Sequence, residues 1–137
     1  AVLKSNLYSV FNCCHHVINH MIQQSYGRII NISSVNAQRA QFGQVNYAAA
    51  KAGMHGFSKT LAIEVANKGN TISPGYIGTD MVMAVPQEHR DKIVQTIPVS
   101  RLGGTWEVAH LVSFLASKEA SFITGANVAI NGGQHVY

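Results

Sequence analysis

Residues 27–51 read GRIINISSVNAQRAQFGQVNYAAAK. Residues 28–33 hold an Ile29-Ile30-x-Ile32 run that is apolar on both faces, as a parallel strand covered by helices on each side requires. The strand ends in two hydroxyls, Ser33 and Ser34. After a polar linker, 35–45, an Ala-rich segment is expected to be helical over roughly 46–67. Tyr47 and Lys51 stand four apart there, just over one turn, so they share a face. A free phenol, with a reference pKa of about 10, is a poor acid at neutral pH. An ammonium beside it favours the phenolate and makes it a usable acid/base. A strand end can present Ser34 to the same point. A hydroxyl donor and a phenol acid meeting at one carbonyl suit ketone reduction. Taken alone, a Tyr-x-x-x-Lys pair reads more simply as a solvated helix face.

Working outward, residues 3–24 carry apolar side chains at three- and four-residue steps, from Leu3 and Leu7 to Met21 and Ile22, which marks an amphipathic helix. Asn6 lies beside that stripe and by position alone is an exposed polar residue. His16 and His20 are one turn apart but lack an H-E-x-x-H pattern and a third ligand, so no metal site is expected. Beyond the second helix, Gly69 is a plausible stop, leaving only four residues for a strand before Pro74. Residues 80–100 look like a cover. Pro86 opens a helix over 86–96, and Met81 and Met83 are either core packing or part of a lid. Thr105 is the expected N-cap of a helix over 106–117 that buries Ala109, Val112 and Leu115 or their neighbours. Residues 127–130 form a last strand, and Asn131-Gly132-Gly133 a tight exit. Strand–helix alternation of this kind argues for an α/β fold with a parallel sheet.

Of the 137 residues, 47% are hydrophobic and 12% charged, as in a folded globular domain rather than a disordered chain. No apolar run approaches the ~20 residues of a membrane span. The net charge of +4 is scattered, with no basic run or aromatic platform, so no nucleic-acid partner is expected. Cys13 and Cys14 are adjacent, which suits neither a disulfide framework nor a metal half-site; they read as reduced residues of a cytoplasmic protein.

Ser34, Tyr47, Lys51 and the later Pro74-Gly75-Tyr76-Ile77-Gly78-Thr79 together resemble the short-chain dehydrogenase/reductase family, from Asn6 to Asn131-Gly132-Gly133. The resemblance implies a Rossmann-like, doubly wound parallel sheet. It makes Tyr47 the general acid, Lys51 its partner and the ligand of the nicotinamide ribose, and Ser34 the donor to the substrate carbonyl. Asn6 would hold a water that relays protons. Pro74, Gly75, Ile77 and Thr79 would border the nicotinamide, a backbone without a side chain at Gly75 suiting that close approach. The implied cofactor is NADP(H), with NAD(H) also open. Within the family the chain is most similar to acetoacetyl-CoA reductases, then to 3-oxoacyl-carrier-protein reductases. The substrate is then an acyl thioester of CoA or of acyl carrier protein, with Gln41, Phe42, Gln44 and Tyr76 around the acyl group. The alternative for those four is a polar surface loop with one packed aromatic. A homotetramer paired through helices 3–24 and 46–67 is expected. No Gly-rich, phosphate-binding turn precedes Tyr47. The expectation is therefore one domain over 1–137 matching the family's C-terminal half, its cofactor-gripping N-terminal half absent. A noncatalytic fragment or scaffold subunit is the competing reading.

Overall fold

In the computed structural model, which describes residues 1–65 and 69–136, the isoleucine run is strand β1, Ile29–Ile32. Its residues alternate between two cores. Ile29 packs with Cys14 and Leu61 under α1 (Ser9–Gln23) and α2 (Val45–Glu64). Ile30 turns the other way, towards Ile72, Leu115 and Ala120 under α5 (Thr105–Ala116). A strand clothed on both faces needs this continuous apolar pattern.

α1 is preceded by a π-wound stretch, Lys4–Tyr8, so residues 2–23 are helical as a whole. α2 buries Ala50, Met54, Ser58, Leu61 and Ala62, one face at four-residue steps. Positions 66 and 67 of the expected helix lie outside the described residues. Gly69 does not stop that helix; it opens β2, Gly69–Pro74, which has six residues rather than a stub. A Cβ at Gly69 would sit 2.7 Å from the Ser58 carbonyl oxygen, so the glycine lets β2 start hard against α2. β2 is buried almost throughout, and its Asn70 and Ser73 side chains are hydrogen-bonded. Asn70 donates to the Ile123 carbonyl at 2.9 Å and accepts from the Ala126 N–H at 3.2 Å.

Among the described residues the strands form one parallel sheet in the order β1-β2-β3, with β3 at Asn127–Ile130. Ile29 pairs with Gly69, and Thr71 with Asn127. Helices on both faces of a parallel sheet make this the Rossmann-like, doubly wound architecture.

After β2 come α3 (Asp80–Met83) and α4 (Gln87–Gln95). Pro86 caps α4 from outside rather than opening it. Met81 and Met83 are 83% and 51% exposed, which removes core packing as their role. α5 starts one residue earlier than expected because Gly104, not Thr105, is its cap position: the Glu107 carboxylate accepts from the Gly104 N–H at 2.7 Å. Leu115 is buried and Val112 half-buried, but Ala109 faces solvent.

Candidate active site

All three strands end on one side of the sheet, at Ile32, Pro74 and Ile130. The crevice outside the carboxyl ends of parallel strands is where such folds bind ligands. Ser34 leaves β1 in extended conformation, and its Oγ accepts the Asn36 N–H at 3.2 Å in the short 3₁₀ turn Val35–Ala37. Its own proton remains available to donate.

Tyr47 lies in the first turn of α2, half-buried. One turn on, the Lys51 ammonium stands 5.6 Å from the centre of the Tyr47 ring and donates to the Ile32 carbonyl at 2.8 Å. Burial lowers the pKa of Lys51 from its ordinary value. An ammonium has three donors, so two remain for a ligand. The last carbonyl of β1 thus ties the lysine to the strand that presents Ser34.

Asn6 lies in the π-wound stretch. Its amide donates to the Val2 carbonyl at 3.1 Å and to Ser5 Oγ at 3.2 Å, within its own helix. The same stretch packs Leu7 over Gly53 of α2, where a Cβ would lie 2.8 Å from Leu7 Cδ2. That contact sets Asn6 above the helix that carries Lys51.

The loop Pro74–Thr79 is pinned from two sides. Gly75 N–H donates to the Ile130 carbonyl at 3.0 Å, and Tyr76 N–H to Gln134 Oε1 at 3.2 Å. Gly78 N–H donates to Gly103 O at 2.8 Å, and Gly103 N–H to Tyr76 O at 3.0 Å. Ile77 bridges to Gly103, and Thr79 Oγ1 accepts the Val82 N–H at the start of α3. The space at Gly75 is taken by the protein itself: a Cβ there would lie 2.5 Å from Gln134 Oε1 and 2.9 Å from Asn131 Cα. Buried Gln134 is a residue that the sequence reading left without a role. It also donates to Thr96 Oγ1 at 3.3 Å, and its carbonyl accepts from Arg39 at 3.4 Å. Its only sequence signal was its place just after the Asn-Gly-Gly exit.

Beside the loop is a cavity of about 310 Å³, lined by residues that include Gln41, Tyr76, Arg39, Lys92 and Gln134. Gln41 Nε2 donates to the Tyr76 hydroxyl at 3.3 Å, so these two meet at this cavity. Gln44 closes the linker turn with its N–H on the Gln41 carbonyl at 3.2 Å. Phe42 is fully exposed and does not line this cavity. Gly43 beside it has φ +78°, a turn that carries the ring outward.

The family profile described as enoyl-(acyl carrier protein) reductase matches residues 1–135. An acetoacetyl-CoA reductase of Cupriavidus necator is 55% identical, over 99% of this chain and 56% of its own length. A 3-oxoacyl-(acyl-carrier-protein) reductase of Escherichia coli K12 is 46% identical, over 98% and 57%. The crystal structure of a 3-oxoacyl-(acyl-carrier protein) reductase from Brucella melitensis superposes with a TM-score of 0.90 at 36% identity, covering 93% of this chain and 49% of that one. The chain belongs to the short-chain dehydrogenase/reductase family. It spans a little over half the length of the curated relatives that it matches.

Proposed function

We propose that the full-length protein reduces a 3-oxoacyl thioester with NADPH, its substrate being acetoacetyl-CoA and its product 3-hydroxybutyryl-CoA. The observation that carries this reading is the Lys51–Ile32 hydrogen bond, which holds Lys51, and Tyr47 one turn before it, against the strand that ends in Ser34. The donor set fits a nicotinamide nucleoside. Lys51 keeps two donors for a vicinal diol, Tyr47 adds a hydroxyl, and Pro74, Gly75, Ile77 and Thr79 form a loop pinned at the strand ends. When bound, the reduced nicotinamide supplies the hydride that goes to the carbonyl carbon. Ser34 donates a hydrogen bond to the carbonyl oxygen, and Tyr47 gives that oxygen its phenolic proton. Lys51 holds positive charge beside the phenolate that results. Asn6, on the stretch above α2, holds the water through which the proton is restored.

The Gln41 amide and the Tyr76 hydroxyl present neutral donors to the acyl part, which suit a thioester rather than a carboxylate. Similarity to the Cupriavidus necator reductase supports CoA as the carrier. A second reading, reduction on acyl carrier protein, is favoured by the Escherichia coli and Brucella melitensis relatives and by Arg39 and Lys92 at the cavity, which suit an acidic partner protein. The test compares kcat/KM of the full-length protein for acetoacetyl-CoA and for acetoacetyl-carrier-protein, each with NADPH and with NADH. Preference for the CoA ester with NADPH is expected. A clear preference for the carrier-protein substrate would transfer the protein to the second reading.

A further inference from the structure

Beneath the site runs a line of polar side chains that the reaction as written does not use. Ser33, buried, donates its hydroxyl proton to the Lys51 carbonyl at 2.9 Å. Ser73, fully buried on β2, donates its own to Asn127 Oδ1 at 2.7 Å. Between them lies His55, with Nε2 at 2.8 Å from Ser33 Oγ and 3.2 Å from Ser73 Oγ. Each hydroxyl has one proton, and both are committed elsewhere. With both protons so placed, the serines turn lone pairs towards His55, and this network assigns the hydrogen to Nε2. One N–H is shared between two acceptors, and α2 is joined through it to β1, β2 and β3.

The line ends on the catalytic candidates. Lys51 is held to the end of β1 twice: its ammonium donates to Ile32 O, and its carbonyl accepts from Ser33. Ser33 is the neighbour of Ser34, and its own N–H donates to the Ile72 carbonyl at 2.7 Å. Sliding α2 along β1 would break both holds and change where Ser34 stands relative to Tyr47. We propose that His55 is a positioning residue for the reduction, donating to Ser33 so that the Lys51 turn of α2 stays registered on the end of β1. The proposal rests on the reductase reading above. Burial, and then the nearby Lys59 ammonium, lower the pKa of His55, which keeps the ring neutral and consistent with a single Nε2–H.

The test uses the full-length protein with NADPH and acetoacetyl-CoA. His55→Leu removes the donor. A misplacement of about 1 Å at a catalytic group costs ~100-fold, so kcat should fall about 10- to 100-fold, with KM for NADPH changed less than about threefold. His55→Gln places an amide N–H near the position of Nε2 and should recover most of kcat. Ser33→Ala should reproduce the loss, and the double variant His55→Leu/Ser33→Ala should lose no more than either alone, since both cut one line. If His55→Leu does not fold, the Gln and Ala variants decide. Wild-type kcat in Ser33→Ala, equal losses in the Leu and Gln variants, or additive losses in the double variant would overturn the proposal. Tyr47→Phe is measured alongside. Should it keep turnover, the reductase reading itself falls; should it lose turnover while His55→Leu and Ser33→Ala keep theirs, only the positioning role falls.

Discussion

Gly75 shows how far a residue can be read before its neighbours are known. From sequence it makes room for a ligand; in the fold the position of a Cβ there is also occupied, by Asn131 and Gln134. A Cβ there meets backbone at Asn131, which cannot swing aside as a side-chain tip would. Gly75→Ala should therefore destabilise the protein by about 1–3 kcal/mol, as overpacking does, and a lowered midpoint in urea at unchanged slope is the check. Lys51→Ala removes both the tie to Ile32 and the donors proposed for the ribose. It should raise KM for NADPH and lower kcat, whereas a purely structural lysine would leave KM unmoved once the variant is folded. Ser34, Tyr47 and Lys51 could be picked out as candidates because the features that single them out are local: a strand end, and a pair one helical turn apart. Gln134 and His55 were not, because their partners lie far along the chain, at Tyr76 and Thr96 for the first and at Ser33 and Ser73 for the second. Spacing did hold a hint for His55, which follows Lys51 by the same four residues that separate Lys51 from Tyr47.

Elements fared better than their ends. β1, α2, β3 and α5 follow from apolar patterning, and their type does not depend on distant contacts. The start of β2 escaped the sequence because a glycine after a helix reads as a stop, whereas here it is the residue that fits under the Ser58 carbonyl. Gly69→Ala should push β2 off α2 and lower the thermal midpoint; an unchanged midpoint would show that this contact relaxes freely. The start of α5 was misjudged by one residue because its cap comes from Glu107 rather than from a cap side chain. The hydrogen bonds from Arg101, at 2.7 and 2.9 Å, and then the Gly104 N–H bring the Glu107 pKa down from 4.5 to about 2. A depressed carboxylate stabilises the fold fully above its unfolded pKa, and that contribution fades as pH falls through the folded value. The α5 start should thus stay capped at pH 4.5 and loosen near pH 2. A carbon-13 titration of the Glu107 carboxyl should show its midpoint near 2, and a midpoint near 4.5 would contradict the cap.

At the scale of the molecule, the alternation of strand and helix was enough to give the parallel sheet and its two covered faces. Assembly is less legible, because an apolar helix residue looks the same whether its partner is this sheet or another subunit. The structure sorts most of these residues. Cys14 of α1 and Leu61 of α2 face the sheet, with Val10 packed beside them, while Leu7, Tyr8, Phe11 and Asn12, with Gly53, line an open apolar groove between the helices; Phe57 touches both the core and the groove. Phe11 stacks edge-on against Phe57 there and is still 56% exposed. We expect a second copy to cover this face in a homotetramer of the full-length protein. Light scattering should then return a multiple of the subunit mass that falls when Phe11 is replaced by Asp; a monomer at micromolar concentration would contradict it. The claim on which the whole reading turns is that Tyr47 delivers the proton. It is tested most directly by following NADPH oxidation with acetoacetyl-CoA in full-length wild type and Tyr47→Phe, which keeps the ring and removes only the hydroxyl. Loss of a general acid predicts a fall in kcat of at least ~100-fold in a folded protein, and turnover within a few-fold of wild type would contradict the account.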